Sequence, residues 1–132
     1  MASRSNTIVA AAAAVAVVLA VAASLPAAAS AETYKVGDDF GWDIGMNYLD
    51  WAQGKTFKVG DTLEFVYSSE ATHNVALVDS QGYDTCTAAS NAPTESSGDD
   101  TVTLDKPGKW FFICSVEGHC QSGMYLAINV EE

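Results

Sequence analysis

Short segments in which apolar and polar residues alternate run through most of the chain after residue 31. In segment 62–67, for example, Leu63, Phe65 and Tyr67 occupy every second position. Because successive side chains of a strand point to opposite faces, this spacing predicts a strand with one buried face. Similar patterns, rich in β-branched and aromatic residues, predict strands at 33–36, 56–59, 62–67, 73–78, 101–104, 109–114 and 124–130.

Turn-forming residues separate the predicted strands. Gly-Asp pairs follow the first two strands, and the sequence Asp-Lys-Pro-Gly at 105–108 follows the fifth. About seven strands with little helical periodicity indicate an all-β fold, an antiparallel sandwich or barrel. The polar segment 80–97 predicts a loop with at most a short helical turn. The three tryptophans, Trp42, Trp51 and Trp110, are predicted to be core residues.

The first 31 residues do not share this pattern. Arg4 precedes an uncharged apolar run at 8–23, Pro26 follows the run, and small residues occupy 29–31. This order is typical of a secretory signal peptide. A membrane anchor is the alternative, but the run is near the lower length limit and alanine contributes little transfer energy. We therefore predict a signal peptide at 1–31, a single domain at 32–132, and secretion to the extracellular space.

The charge of the predicted mature chain limits its partners. With five basic and 17 acidic residues, its formal charge is −12. A charge of this sign argues against binding to nucleic acid or to anionic membranes, and favours cationic partners or simply solubility. After segment 125–130 the sequence ends in two glutamates, with no hydrophobic tail. No membrane or lipid anchor is therefore expected in the mature chain.

Cysteine and histidine are rare in this sequence. The cysteines are Cys86, Cys114 and Cys120, and the histidines are His73 and His119. Secreted thiols normally form pairs, so an odd number of cysteines requires an explanation. Three pairings are possible, and each leaves one thiol free.

A copper site accounts for the distribution of these residues. Copper that alternates between Cu(I) and Cu(II) is bound by a soft thiolate, two imidazoles and a weak axial thioether. Segment 114–124 contains Cys114, His119 and Met124 between two predicted strands, and its glycines permit tight bends. His73 would come from a distant strand, so that the metal would link two sheets. We predict that one copper ion is bound by these four residues.

The copper hypothesis also bears on the disulfide. His119 and Cys120 are neighbours that point in different directions in an extended loop, so one can bind metal while the other forms a bridge. This favours a Cys86–Cys120 disulfide with Cys114 as the thiolate. Taken singly, each ligand also fits an ordinary role: His73 as a strand residue, Met124 as core filler, and Cys114 as a buried thiol.

Together these residues resemble the phytocyanins, the plant branch of the cupredoxins. The resemblance extends from Tyr34 to Val130, nearly the whole predicted mature chain. Its most specific part is the segment from the cysteine to the methionine. The matching segments are 34–38, 41–42, 47–48, 51–57, 59–63, 73–75, 83–86 and 118–124.

The resemblance implies a cupredoxin-like Greek-key β-sandwich of about seven strands. It implies His73, Cys114, His119 and Met124 as type 1 copper ligands and a Cys86–Cys120 disulfide. The axial methionine is similar to that of plantacyanins and uclacyanins, whereas stellacyanins have glutamine there. Two features depart from the family pattern: the domain is strongly acidic, and segment 116–118 lacks a proline that often precedes the glycine.

The implied function is one-electron transfer in the plant apoplast or cell wall by a monomeric protein that is not an enzyme. Its electron donor or acceptor is not identified by the sequence; a small molecule or a cationic protein would suit. One alternative is a copper-binding signalling domain without a redox role. Another is an enzyme with Cys114 as nucleophile and a histidine as base, but the sequence places no activating Asn or Asp and gives Met124 no role in it.

Overall fold

The computed structural model describes residues 30–132, of which Ala31–Glu132 form a compact unit. The predicted signal peptide lies outside the described residues except for its last two. Within the described part, no helix is both long enough and apolar enough to span a membrane.

Eight strands and two short α-helices make up the described fold. The helices are α1 (Tyr48–Ala52) and α2 (Ser80–Thr85), and 3₁₀ turns occur at Asp38–Phe40 and Cys120–Ser122. The strands are β1 (Thr33–Lys35), β2 (Phe57–Lys58), β3 (Thr62–Val66), β4 (Val75–Val78), β5 (Thr94–Glu95), β6 (Asp99–Thr103), β7 (Gly108–Ile113) and β8 (Tyr125–Glu131).

The strands form two sheets, which confirms the predicted all-β class. One sheet has the order β1-β3-β6 and the other β2-β8-β7-β4-β5. The prediction of a purely antiparallel arrangement was wrong, because β1 pairs parallel with β3 and β2 pairs parallel with β8. A parallel pair requires a long crossover connection, and the β1–β3 connection contains α1 and β2.

Aromatic side chains fill the core. Trp42 is fully buried and packs edge-on against Phe65, whose ring lies 5.3 Å from that of Phe112. Trp51 is also buried, as predicted, whereas Trp110 is only partly buried and packs against the core from one side.

The shortest elements were predicted only in part. Helix α1 has only five residues, too few for a helical period, and is capped by the Asn47 side chain, which accepts from the Asp50 N–H. Helix α2 is capped in the same way by Asp79, and it corresponds to the helical turn expected in segment 80–97. Strand β5 has two residues and no apolar alternation.

Candidate metal centre

The predicted ligands lie at one end of three adjacent strands. His73 precedes β4, Cys114 follows β7 and Met124 precedes β8. Strand β7 is hydrogen-bonded to both of the others, and the Cys114 N–H donates to the Met124 carbonyl at 3.0 Å. All three strands belong to the five-stranded sheet. The expectation that the metal would link two sheets was therefore wrong: the pairing of β4 with β7 already brings His73 beside Cys114.

The loop from Cys114 to Met124 folds back to present His119. The His119 N–H donates to the Val116 carbonyl at 3.0 Å, and the Met124 N–H donates to the His119 carbonyl at 3.1 Å. Gly118 and Gly123 have φ values of 82° and 113°, in the left-handed region that favours glycine. The loop therefore closes on itself, which places His119 between the two strand ends.

Three donor atoms converge in the space enclosed by this loop. His73 Nδ1 lies 3.0 Å from His119 Nδ1, which lies 3.5 Å from Cys114 Sγ. All three donors lie within 4.8 Å of one another. Cys114 and Met124 are fully buried, His73 is buried, and His119 is half-buried. The structure thus gathers three of the predicted ligands and places the fourth at the same end of the sheet.

This donor set fits a copper ion better than the metals that prefer oxygen ligands. An ion about 2 Å from each ligand requires donors as close together as these. One thiolate with two imidazoles, and a thioether nearby, is the ligand set of copper electron-transfer sites; magnesium and calcium prefer oxygen donors. The burial of Cys114 and Met124 keeps water from the soft donors. The residues present therefore fit a type 1 copper.

The cysteine pairing agrees with the prediction. Cys86 and Cys120 form a disulfide with their Cα atoms 5.6 Å apart, and Cys114 is the free cysteine of the described residues. Cys120 is buried in a cluster with Ala76 and Ile113. Of the adjacent residues His119 and Cys120, the first is therefore among the candidate donors and the second forms the disulfide.

Asn74 joins the two halves of the centre, a role that sequence reasoning did not identify. Its side-chain amide donates to Ser115 Oγ at 2.9 Å, and its Oδ1 accepts from the Ser115 N–H at 2.8 Å. Its carbonyl accepts from the buried Trp42 indole at 3.0 Å. These bonds fix the residues that follow His73 and Cys114 relative to each other. The sequence feature that could have indicated this role is the amide side chain immediately after His73.

Asp43 is a second residue that the sequence did not single out. Its Oδ1 lies 2.8 Å from His73 Nε2, and it also accepts from the Ile44 N–H at 2.7 Å. When Nε2 donates its proton to this carboxylate, Nδ1 is left with a free lone pair that faces the other donors. The contact with Asp43 therefore favours the tautomer of His73 in which Nδ1 is free to bind a metal.

Tyr48 holds the backbone of Asp43 in place. The buried hydroxyl accepts from the Asp43 N–H at 2.7 Å and lies 2.7 Å from the Gly41 carbonyl, to which it donates. Burial raises the pKa of Tyr48 to about 12, so the phenol stays protonated at neutral pH. A residue of α1 thus supports a loop that reaches the metal ligands.

Tyr67 lies on the other side of His73, with the two ring centroids 6.2 Å apart. Its hydroxyl donates to the buried carboxylate of Asp100, which also accepts from Ser97 Oγ at 2.5 Å. Burial and then the bond to Asp100 raise the pKa of Tyr67 to about 12. The phenol is therefore uncharged at neutral pH and adds no negative charge beside the site.

Replacement of Asp43 should weaken metal binding. Loss of a carboxylate that orients a ligating imidazole costs about 10- to 100-fold in metal affinity. We expect a loss in that range for Asp43→Ala, and a smaller loss for Asp43→Asn, whose amide oxygen can still accept from Nε2. Competition titration of the apoprotein with a copper chelator measures both. Asp39→Asn, at an exposed site of equal charge, is the control; equal effects at 39 and 43 would contradict the role of Asp43.

Comparison with known proteins identifies the family of the chain. Residues 42–124 match the plastocyanin-like domain family. The chain is 44% identical to uclacyanin-3 of Arabidopsis thaliana over 108 residues, which cover 82% of this chain and 47% of that protein. It is 43% identical to the basic blue protein of Cucumis sativus over 96 residues, which cover 73% of this chain and 96% of that protein. The chain belongs to the phytocyanin family.

A solved phytocyanin structure agrees with the fold. Cucumber basic protein, a blue copper protein, superimposes with a TM-score of 0.68 at 42% identity, covering 74% of this chain and 98% of that one. The sandwich is therefore cupredoxin-like, as the resemblance implied. The chain spans about half the length of the first curated relatives that it matches. The matched shares of those proteins are 47%, 53% and 44%.

Proposed function

We propose that this phytocyanin binds one type 1 copper ion through His73, Cys114, His119 and Met124 and carries one electron at a time. The observation that carries the proposal is the convergence of two imidazole nitrogens and one buried thiol sulfur within 4.8 Å. The names of the relatives, which include blue copper proteins from Pisum sativum and Petunia hybrida, support it.

Each side chain has a separate role at such a site. When bound, the copper supplies a reversible one-electron couple tuned by its axial ligand. Cys114 supplies the thiolate, His73 and His119 the imidazoles, and Met124 the weak axial thioether. Asn74 and Asp43 are not ligands themselves; their hydrogen bonds to Ser115 and to His73 hold the donors in position. Because the donors are fixed by sheet and loop hydrogen bonds, little rearrangement is needed when the electron moves.

The surroundings of the site bear on the partner. His119 is the more exposed of the two imidazoles, and we propose that the electron enters and leaves by its ring. The formal charge of −12 after residue 31 would favour a cationic protein or a small molecule as the donor or acceptor. We further propose that residues 1–31 are a cleaved signal peptide and that the domain acts outside the cell.

The visible spectrum of the purified, copper-loaded protein tests the proposal. We expect an intense blue thiolate-to-copper band that bleaches with ascorbate, and a reversible one-electron wave in voltammetry. A band without a reversible wave would favour a copper-binding signalling domain with no redox role. Absence of the band would contradict the proposed site.

Substitution of the axial ligand should shift the reduction potential. We expect Met124→Gln to lower it, because an amide oxygen favours Cu(II) more than a thioether does. Met124→Leu, which keeps the apolar volume and removes the donor, should raise it. Voltammetry of both variants beside the wild type measures the shifts. A potential that Met124→Gln leaves unchanged or raises would argue against Met124 as axial ligand.

A further inference from the structure

The carboxylate of Asp61 is buried and accepts hydrogen bonds only from backbone N–H groups. Asp61, just before β3, is only 4% exposed. Its Oδ1 accepts from the Glu32 backbone N–H at 2.9 Å, and its Oδ2 accepts from the Lys58 backbone N–H at 2.9 Å. Within residues 30–132 the one salt bridge joins His73 and Asp43, so no cationic side chain reaches Asp61.

A buried aspartate without a cationic partner is costly. The other buried carboxylate, that of Asp100, accepts from two hydroxyl groups, whereas Asp61 has only backbone amides. Lys58 contributes its N–H to Asp61, and its side chain is exposed. Asp61 is therefore held by neutral backbone donors alone.

A positive charge can arise at the backbone nitrogen of Glu32, which contacts Asp61. It is the first described residue that is tied to the sheet: its N–H donates to Asp61, and its carbonyl accepts from the Thr62 N–H at 2.9 Å. Ala31, immediately before it, is exposed. The small residues of segment 29–31 are the signal peptidase recognition pattern, with cleavage after Ala31.

We propose that cleavage after Ala31 creates an α-ammonium group on Glu32 that forms an ion pair with the buried carboxylate of Asp61. Hydrolysis of this peptide bond adds water, gives Ala31 a carboxylate, and converts the Glu32 N–H into an ammonium at the same position, 2.9 Å from Oδ1. A charge-assisted hydrogen bond is about twice as strong as a neutral one. Processing thus completes the pairing of Asp61. The inference rests on the proposed signal peptide and is independent of copper.

The rigidity of the site favours this pair. The Asp61 N–H donates to the Lys58 carbonyl at 3.0 Å, and the Asp61 carbonyl accepts from the Leu104 N–H at 2.8 Å. The carboxylate is therefore held in place before the ammonium arrives, so that little ordering entropy is lost. Cleavage one residue earlier would leave the Glu32 N–H an uncharged amide, and cleavage one residue later would remove that N–H.

A double-mutant cycle tests the pair. Two chains are released from a cleavable tag so that they begin at Glu32 or at Ala31, each with Asp61 or with Asp61→Asn. Unfolding by denaturant at pH 7 gives the four folding equilibrium constants. We expect Asp61→Asn to lower the constant about tenfold more in the chain beginning at Glu32 than in the chain beginning at Ala31, about 1.4 kcal/mol of coupling. Equal losses in the two chains would overturn the proposal.

The pH dependence of the coupling gives a second test. An amine that gains an anionic partner has a raised pKa, so its contribution is complete below the ordinary value of about 8 and is lost above the raised one. The other titratable groups nearby are the Glu32 carboxylate and the Tyr34 phenol, whose pKa is raised by burial, by Glu32 and by the charge of Asp61. Both are present in all four chains and cancel in the cycle. The coupling should therefore vanish by about pH 10; a coupling that persists there would overturn the ion pair.

Two further measurements keep the test decisive. If the Asp61→Asn chains do not fold, the pKa of the Glu32 α-amino group in the wild-type domain replaces the cycle: a value about one unit above the ordinary 7.7–8.0 supports the pair, and an ordinary value overturns it. N-terminal sequencing of the full chain secreted by a eukaryotic host locates the cleavage. A terminus at Glu32 supports the proposal. Any other terminus overturns it and leaves the copper proposal unaffected.

Discussion

Cys114→Ser should abolish the blue colour of the copper-loaded protein and lower its copper affinity by orders of magnitude. A serine hydroxyl is a hard, neutral donor at neutral pH, and it cannot supply the thiolate that copper electron-transfer sites use. Cys114 is fully buried beside His119, and no other free cysteine occurs in residues 30–132 to replace it. The absorption spectrum after copper addition measures the result directly.

Two controls separate loss of the ligand from loss of the fold. A buried hydroxyl without a partner costs about 1–3 kcal/mol, so the variant should remain folded, which its circular dichroism and denaturant unfolding can verify. Thiol titration in denaturant should find one free thiol in the wild type and none in the variant, with the Cys86–Cys120 disulfide intact in both. A folded variant that stays blue would contradict the assignment of Cys114.

The fold was predictable from the sequence wherever a strand is amphipathic. The alternation of Leu63 and Phe65 predicted β3, and both residues are fully buried. Parallel pairing was not predictable, because the period of two is the same in parallel and antiparallel strands and says nothing of the neighbour. Strand β5 escaped prediction because both of its residues are exposed, and so it carries no burial pattern.

The candidate ligands were predictable because most of them belong to residue types that are rare in this chain. The chain has two histidines and three cysteines, so the chemistry of copper restricted the choice to a few side chains. Asp43 could not be identified in this way: aspartate is common in this acidic chain, and the contact with His73 spans 30 residues. That contact depends on the turn after Trp42 and on Tyr48 beneath it, which only the folded structure brings together.

The double substitution Cys86→Ala and Cys120→Ala should strongly destabilise the domain. The disulfide spans 34 positions of the sequence, and a cross-link of that span stabilises a protein by about 3–4 kcal/mol in the chain-entropy model. For a domain of this size, about 1 kcal/mol corresponds to a shift of about 4–8 °C in Tm. We expect a decrease in Tm of at least about 12 °C, measured on the copper-free protein.

The matched control is Thr85→Ala with Gln121→Ala, two exposed residues beside the cysteines, which should change Tm little. A second effect is expected at the metal centre. Cys120 anchors the start of the turn that returns from His119 to Met124, so loss of the bridge gives His119 more freedom and should lower copper affinity as well as stability. If the double alanine variant unfolds like the wild type, the bridge contributes no measurable stability; if only its copper affinity falls, the disulfide serves the loop rather than the domain.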